Sequence, residues 1–447
     1  MSLRKFILDK LQGHQTLKKV AKNVGWLTLD RILQLIVSVL IGIWVARYLG
    51  PSDFGLMNFA FAFAALLSPL IGLGIPTLLV RELLHNPCEK DKLIGTTFWV
   101  QVITSIFAMV VMNVSILLLR PNDFMSFLVV FVFSFNNLAS SLDILTNWFD
   151  AKIESKNVVI ARTVSMILSN LLKVFFILLG FPLIYFVAAS VIDSILRGLF
   201  LLYYYLKDKQ SITNWKFDFD LAKKLVSSSW PLILSGAMVI IYLKIDQVMI
   251  GLMMNDAQVG IYSVAVKFSE MFLFLPAALS VSLFPAIIAS KKISQEVYYS
   301  RFQKLFDLMT WVPMTFVIPL FLFSNYIVVF LYGVEYALAG PALAISIWSA
   351  VATSVKFGVE KYLINENRTK IVFSNALIGA VLNIILNFLL IPTYGILGAA
   401  LATVISYTAS SYLGLLLYPS TRKIFFMLIK SFNIFRIIKE LKSYAKL

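Results

Sequence analysis

Fourteen ionisable side chains fall inside or at the edge of long apolar stretches, and they are the residues best placed to do chemistry. The cations are Arg31, Arg162, Lys173, Arg197, Lys244, Lys267 and Lys356. The acids are Asp30, Asp143, Asp193, Asp246, Glu270 and Glu360, with Asp307 at a stretch's edge. A charge held in hydrocarbon costs at least ~2.5–3.5 kcal/mol, so each needs a reason to be there. Mutual neutralisation supplies part of one. Asp193 and Arg197, and Lys356 and Glu360, stand four apart, and Lys267 and Glu270 three apart, so each pair shares a helix face. Arg31, Lys173 and Lys244 have no acid at such a spacing and must pair across helices, reach an interface or face water. Arg162 is near enough to a helix end to snorkel. A wet cavity lined by Arg31, Arg197, Lys244, Lys267 and Lys356 would suit an anion, with arginine as a bidentate fork for phosphate and lysine as a point charge. Asp246, Glu270, Asp143 and Asp193 would then be candidates for proton or cation coupling. Asn136, Asn137 and Ser140, and Asn383 with Asn387, form polar stripes that suit sugar hydroxyls or, more simply, interhelical hydrogen bonds.

The elements that must position these residues follow from composition. Of 447 residues 60% are hydrophobic and 14% charged, against roughly 45–50% and about 25% in soluble domains. That excludes a soluble enzyme, a disordered chain and a nucleic-acid-binding protein. Apolar segments long enough to cross ~30 Å of hydrocarbon lie near 24–48, 54–80, 95–119, 124–149, 157–179 and 182–206. Six more lie near 226–252, 260–288, 307–331, 338–360, 371–391 and 395–418. The expected fold is an all-α integral membrane protein of twelve transmembrane helices. The first apolar run, Val24 to Leu49, is too long for a signal-peptide core of about 7–15 residues and reads as a retained span. The single cysteine, Cys88, permits no intrachain disulfide and no CxxC motif.

Sorting the charges gives an orientation. With a cytoplasmic N-terminus, thirty of the 39 Lys and Arg fall in segments on the cytoplasmic side and two, Arg47 and Arg120, on the other. By the positive-inside rule both termini are expected in the cytoplasm, and the net charge of +16 becomes an orientation signal. Trp26, Trp44, Tyr48, Trp99, Trp148 and Tyr332 near span ends read as interfacial anchors. The outer loops are too short for an external domain. No HExxH, GxSxG, Walker or Rossmann pattern occurs, and His14 and His85 lack metal-ligand spacing. The chain is therefore not expected to be an enzyme or to carry a cofactor or metal; a coupling H+ or Na+ is the small ion its carboxylates suggest.

The spans form a tandem repeat. Phe54-Gly55-Leu56-Met57-Asn58-Phe59-Ala60 matches Val259-Gly260-Ile261-Tyr262-Ser263-Val264-Ala265 at an offset of 205. Pro69 and Pro76 answer to Pro276 and Pro285 at 207 and 209, and Ala189-Ser190-Val191-Ile192 to Ala402-Thr403-Val404-Ile405 at 213. Six spans per half make the repeats parallel, an arrangement that in transporters puts substrate in a central cavity between rocking halves. The expected organisation is a basic cytoplasmic segment 1–22, a first lobe 23–206, a linker 207–223, a second lobe 224–418 and a tail 419–447. The prolines are expected to kink spans 2 and 8. The tail mixes Ile424, Phe425, Leu428, Phe432, Phe435 and Ile438 with Lys430, Arg436, Lys439 and Lys442 and reads as a helix on the cytoplasmic surface.

Asp30-Arg31 in span 1, the run Arg47-Tyr48-Leu49-Gly50-Pro51-Ser52-Asp53-Phe54-Gly55 joining spans 1 and 2, and Ile245-Asp246-Gln247-Val248-Met249-Ile250-Gly251 in span 7 resemble the polysaccharide-transport family. These are the Wzx-type O-antigen or oligosaccharide-lipid flippases of the multidrug/oligosaccharidyl-lipid/polysaccharide exporter superfamily, and the likeness covers about residues 20–418. The resemblance implies a MATE-like flippase fold and alternating access. It implies an undecaprenyl-pyrophosphate-linked oligosaccharide carried from the cytoplasmic to the outer leaflet of the bacterial inner membrane, for surface polysaccharide synthesis. Its partners would be that lipid-linked substrate, membrane lipids and the polysaccharide polymerase or assembly proteins, with the chain a monomer. A multidrug or toxin cation antiporter of the same superfamily is the first alternative, and a membrane glycan polymerase or ligase is the alternative of another class.

Overall fold

The computed structural model describes residues 3–433 and 436, with side chains from Gly25 onward except at 27, 28, 77, 231, 232, 235 and 281. Phe435, Ile438, Lys439 and Lys442 of the expected tail lie outside the described residues, as do the side chains of 1–22. Every regular element among the described residues is helical. The α-helices are α1 (Leu3–Gly72), α2 (Ile75–His85), α3 (Lys90–Leu119), α4 (Phe124–Ala139), α5 (Ile144–Ala151), α6 (Ser155–Leu179), α7 (Leu183–Lys207) and α8 (Phe219–Met253). They continue as α9 (Asp256–Met271), α10 (Phe274–Ser290), α11 (Gln295–Tyr332), α12 (Ala339–Ser346), α13 (Ser349–Asn365), α14 (Thr369–Ser411) and α15 (Arg422–Ser431).

Ten helical stretches among the described residues are long and apolar enough to cross a membrane. The expected twelve and the observed ten differ at two glycines. Leu29–Gly72 and Thr369–Leu415 each run on for 44 and 47 residues, about 65–70 Å at 1.5 Å per residue, twice a hydrocarbon core. The first is interrupted at Gly50 (φ 71°, ψ 172°) and the second at Gly395 (φ 57°, ψ −138°), conformations open to glycine because it lacks a Cβ. Large apolar side chains such as Leu118, Phe124, Leu178, Tyr326 and Phe330 stand exposed, as lipid-facing residues do. The chain is a multi-pass membrane protein.

Two compact units divide the chain. One comprises Met1–Leu49 with Phe63–Ala237, the other Gly50–Ala62 with Met238–Leu447. In the first, α6 packs on α7, and α4 on both α3 and α7, around a core that includes Ile75, Leu79, Ile144, Phe149 and Tyr205. The stretch before α8 is pinned there. Lys216 N donates to Asp91 O at 3.4 Å, Asp218 N to Thr96 Oγ1 at 3.1 Å, and Trp215 Nε1 to the Tyr205 hydroxyl at 3.1 Å. In the second unit α13 packs on α14 and α11 on α12 and α13, with Phe302, Phe306, Val355, Tyr362 and Leu428 in the core.

The repeat has a structural counterpart. The expected span 2 breaks at Leu73 and Gly74, both with positive φ, just ahead of Pro76. Span 8 breaks between α9 and α10, just ahead of Pro276. Span 4 breaks through the 3-10 turn Ser140–Asp143 and span 10 between Ser346 and Ser349. The interruptions thus fall in spans of the same ordinal position in each half. The glycines of the matched motifs also meet, inside the second unit. A Cβ on Gly55 would stand 1.7 Å from Asp256 O, and one on Gly260 would stand 2.1 Å from Pro51 O. Small residues at such a crossing let two helix backbones touch.

Candidate functional site

Helix breaks inside a membrane are tolerated where protein buries them or where they line a cavity. In the first unit the break of span 4 follows Ala139. Ser140 Oγ and Ser105 Oγ both donate to the carbonyl of Asn137, each at 2.9 Å, and so satisfy a backbone oxygen there. Asp143, the last residue of the turn, receives the fork of Arg197 from α7, with Nε to Oδ1 and Nη2 to Oδ2 both 2.8 Å. Arg197 Nη1 reaches Asp193 at 3.5 Å, and its Nη2 donates to Ser194 Oγ at 3.2 Å. Ser194 Oγ in turn donates to Asn136 Oδ1 at 2.6 Å. Arg197, Asp143, Asp193 and Asn136 are therefore one network. Asn137 is buried nearby, with its Nδ2 unpartnered among the described residues.

Toward the start of α1, buried Asp30 accepts from Gln34 Nε2 at 3.0 Å and Thr163 Oγ1 at 3.5 Å. Arg162, expected to snorkel, stands 3.9 Å from Asp30 with its side chain 37% exposed. Arg31 is exposed and makes no ion pair among the described residues.

The second unit has two breaks, and both contribute to one cavity. Glu270 and Leu273 flank the first and Ser346 and Ser349 the second, and all four line a space of about 20 Å³ with Asp246, Tyr262 and Thr403. That volume holds one water-sized guest. Asp246 is 2% exposed. Its Oδ2 accepts from the Tyr262 hydroxyl at 2.6 Å and Thr403 Oγ1 at 3.3 Å, and its Oδ1 accepts from Gln247 N at 2.8 Å. Three donors thus converge on one buried carboxylate beside the cavity. Among the described residues no group of three or more His, Cys, Asp or Glu gathers as metal ligands.

Lys244, which has no acid three or four residues away on its own helix, pairs across helices with Glu270 at 2.9 Å. Lys356 donates to the Tyr242 hydroxyl at 2.6 Å, lies 4.1 Å over the same ring and stands 3.8 Å from Glu360. Tyr407 OH braces this tyrosine by donating to the Tyr242 carbonyl at 3.0 Å. Lys267, half-buried on α9, is engaged in an interaction of its own. Asn387 Nδ2 donates to Asn383 Oδ1 at 3.0 Å, both side chains being fully buried. Asn383 Nδ2 and Asn387 Oδ1 have no partner among the described residues.

Sequence reasoning missed Tyr262, Thr403, Tyr242 and Tyr407. The first two lie in the very segments that the repeat singles out, Val259–Ala265 and Ala402–Ile405, where they read as helix punctuation. A tyrosine or threonine within an otherwise apolar repeat motif is the signal that would have found them.

Comparison with known proteins places these features. Residues 20–291 match the family model described as polysaccharide biosynthesis protein. Two curated relatives come from Haloferax volcanii. One, "Probable low-salt glycan biosynthesis flippase Agl15", is 27% identical over 232 residues, covering 51% of this chain and 48% of the relative. The other, "Probable flippase AglR", is 31% identical over 189 residues, 40% and 38% of the two. The chain thus matches about half of the first relative's length and less of the second's. Both are named as flippases, carriers rather than enzymes. Among solved structures, the lipid II flippase MurJ in an inward closed conformation superposes with a TM-score of 0.73 at 17% identity, covering 94% of this chain and 93% of that one. An inward-facing multidrug resistance MATE transporter of the MOP superfamily gives 0.67 at 15% identity, covering 91% and 99%. The flippase fold expected from the sequence is therefore the fold observed, and with the family model matching more than half its length the chain belongs to the polysaccharide biosynthesis protein family.

Proposed function

We propose that this protein is a flippase that moves a lipid-linked oligosaccharide across a membrane by alternating access. The family match over residues 20–291 carries the reading, and two relatives named as flippases, one of them of glycan biosynthesis, support it. The finer reading is an undecaprenyl-pyrophosphate carrier at the bacterial inner membrane with both termini cytoplasmic, as the positive-inside count favours. A pyrophosphate leaving water needs cations to replace its hydration, and Arg197, Lys244 and Lys356, with Arg31 and Lys267, are the candidates.

The geometry adds a condition to that role. Arg197 is forked on Asp143, Lys244 rests on Glu270, and Lys356 rests on Tyr242 and Glu360. An anion takes such a cation only by displacing its partner, and a displaced carboxylate at membrane depth needs a proton or a cation. Substrate binding and ion uptake are thereby linked in one exchange, with Glu270 beside Lys244 as its centre and Asp246 with Tyr262 and Thr403 as the neighbouring ion site. Asn136, Asn383 and Asn387 are engaged with protein groups in this state, which favours structural hydrogen bonding over contact with sugars.

The decisive experiment is a deletion strain assayed for lipid-linked oligosaccharide on the cytoplasmic face. Accumulation there, reversed by the wild-type chain, supports the proposal. Normal glycan export with lost drug resistance would replace it with the antiporter reading.

A further inference from the structure

A second polar cavity lies outside these clusters, where α15 packs on the first turns of α11. It has a volume of about 300 Å³ and is walled by Tyr299, Gln303 and Lys304 from α11, Lys423 and Lys430 from α15, and Arg436 beyond it, the size of a small ligand site. The walls are built rather than incidental. Ile424, Met427, Leu428 and Ser431 bury one face of α15. Gln303 Nε2 donates to Met427 O and Ser431 Oγ, both at 2.9 Å, and Trp311 Nε1 donates to Ser431 O at 2.8 Å. Arg436 is held by Asp307 at 2.6 Å, and Lys423 Nζ lies 3.2 Å from the centre of the Tyr299 ring.

Three lysines thus face one concave space beside Arg436, whose charge Asp307 already meets, and no carboxylate is among the described residues that line it. Gathering like charges is unfavourable unless an anion joins them. The stripe carrying two of these cations also says which anion. Lys423, Phe426 and Lys430 stand three and four residues apart and share one side of the helix. The Phe426 ring is 65% exposed, and Ile429 beside it is 50% exposed. A helix with one face buried in protein and exposed apolar side chains beside its lysines lies in the membrane interface. Basic residues on such helices attract anionic headgroups.

We propose that this cavity binds the phosphate of an anionic glycerophospholipid, with Lys423, Lys430 and Lys304 around the phosphate, Tyr299 and Gln303 as its floor, and an acyl chain along Phe426. The chemistry read is a phosphate ester anion. The exposed Phe426 and Ile429 assign it to a lipid rather than to free phosphate. The site is separate from the clusters at the helix breaks, and its occupancy does not depend on what the protein transports.

The test uses the full chain in neutral detergent, presented with equal phosphatidylglycerol and phosphatidylcholine and read by native mass spectrometry. Wild type should retain phosphatidylglycerol preferentially, and K423Q/K430Q should weaken that retention by about tenfold or more. K423R/K430R, which keeps the charge, should retain it, and K292Q, away from the cavity, should leave it unchanged. Millimolar inorganic phosphate should fail to displace the lipid. Equal retention of the two lipids, or unaltered preference in K423Q/K430Q, overturns the proposal; displacement by inorganic phosphate overturns its assignment to a lipid. A thermal melt of each variant accompanies the binding. Should K423Q/K430Q not fold, K430Q, at an exposed position, makes the same comparison with a smaller expected loss.

Discussion

Replacing Glu270 with glutamine separates the two demands on Lys244. In the structure the ammonium lies 2.9 Å from the carboxylate, with side-chain exposures of 26% and 38%. A charged hydrogen bond of this kind contributes about 1.5–3 kcal/mol net, and partial exposure puts the pair toward the lower end. An incoming phosphate must overcome that contact before it gains its own. Glutamine keeps the shape and removes the competing charge, so Glu270→Gln should tighten binding of a polyprenyl pyrophosphate by about ten- to thirtyfold, at 1.4 kcal/mol per decade. Lys244→Gln should weaken it, and the double variant should bind like Lys244→Gln alone. The assay is equilibrium binding of a short polyprenyl pyrophosphate to the purified chain, alongside glycan export in cells. Export should fall in Glu270→Gln even as binding tightens, because release then lacks the carboxylate that reclaims the lysine. Unchanged or weaker binding in Glu270→Gln would refute the exchange and leave the pair a structural tie.

Other outcomes follow from the same geometry. Tyr262→Phe removes a 2.6 Å donor from buried Asp246; it should cost about 1.5–3 kcal/mol of stability, read by unfolding in mixed micelles, and should change the ion dependence of export, whereas Tyr242→Phe should leave that ion dependence intact. Asp143→Asn and Arg197→Gln should each destabilise the first unit, and a double-mutant cycle should give a coupling above about 1 kcal/mol; simple additivity would show that the fork does not hold α7 to the break. Gly260→Ala and Gly55→Ala should each lose folded protein in size-exclusion profiles, since overpacking alone costs about 1–3 kcal/mol, while Gly236→Ala, with nothing within 4 Å, should not. Outside the spans, burial pushes the Glu366 carboxyl up, but hydrogen bonds from Lys291 and Tyr298 and the charges of Lys291 and Arg368 hold it below its usual value. Its contribution to stability is therefore full above the ordinary glutamate range and lost as pH falls through the lowered value, and Glu366→Gln should flatten that part of an acid-stability curve.

Much of this was legible in the sequence, and the boundary of legibility is physical. Apolar length gave the spans, and the Gly55 and Gly260 motifs and the prolines marked both the repeat and the positions just after two helix breaks. Helical spacing also found Asp193 with Arg197 and Lys356 with Glu360, because neighbours on one helix are fixed by 3.6 residues per turn. The stronger contacts cross helices. Arg197 is 2.8 Å from Asp143 but 3.5 Å from Asp193, and Lys244 reaches Glu270 from another helix. Which helices adjoin, and in what rotation, depends on packing that one chain's periodicity does not encode. For the same reason the hydroxyls that hold Asp246 stand out by residue type but not as its partners: Thr403 lies 157 residues away.

The meeting of Gly55 and Gly260 ties the two matched motifs to each other. Each glycine approaches the backbone just ahead of its counterpart, so the contact maps one motif onto the other and back again. Reciprocity of this kind is the signature of an isologous interface, the surface by which two identical subunits meet. In this chain the two motifs constrain each other, since a bulky residue admitted at one site obstructs both backbones, and neither glycine is free to drift alone.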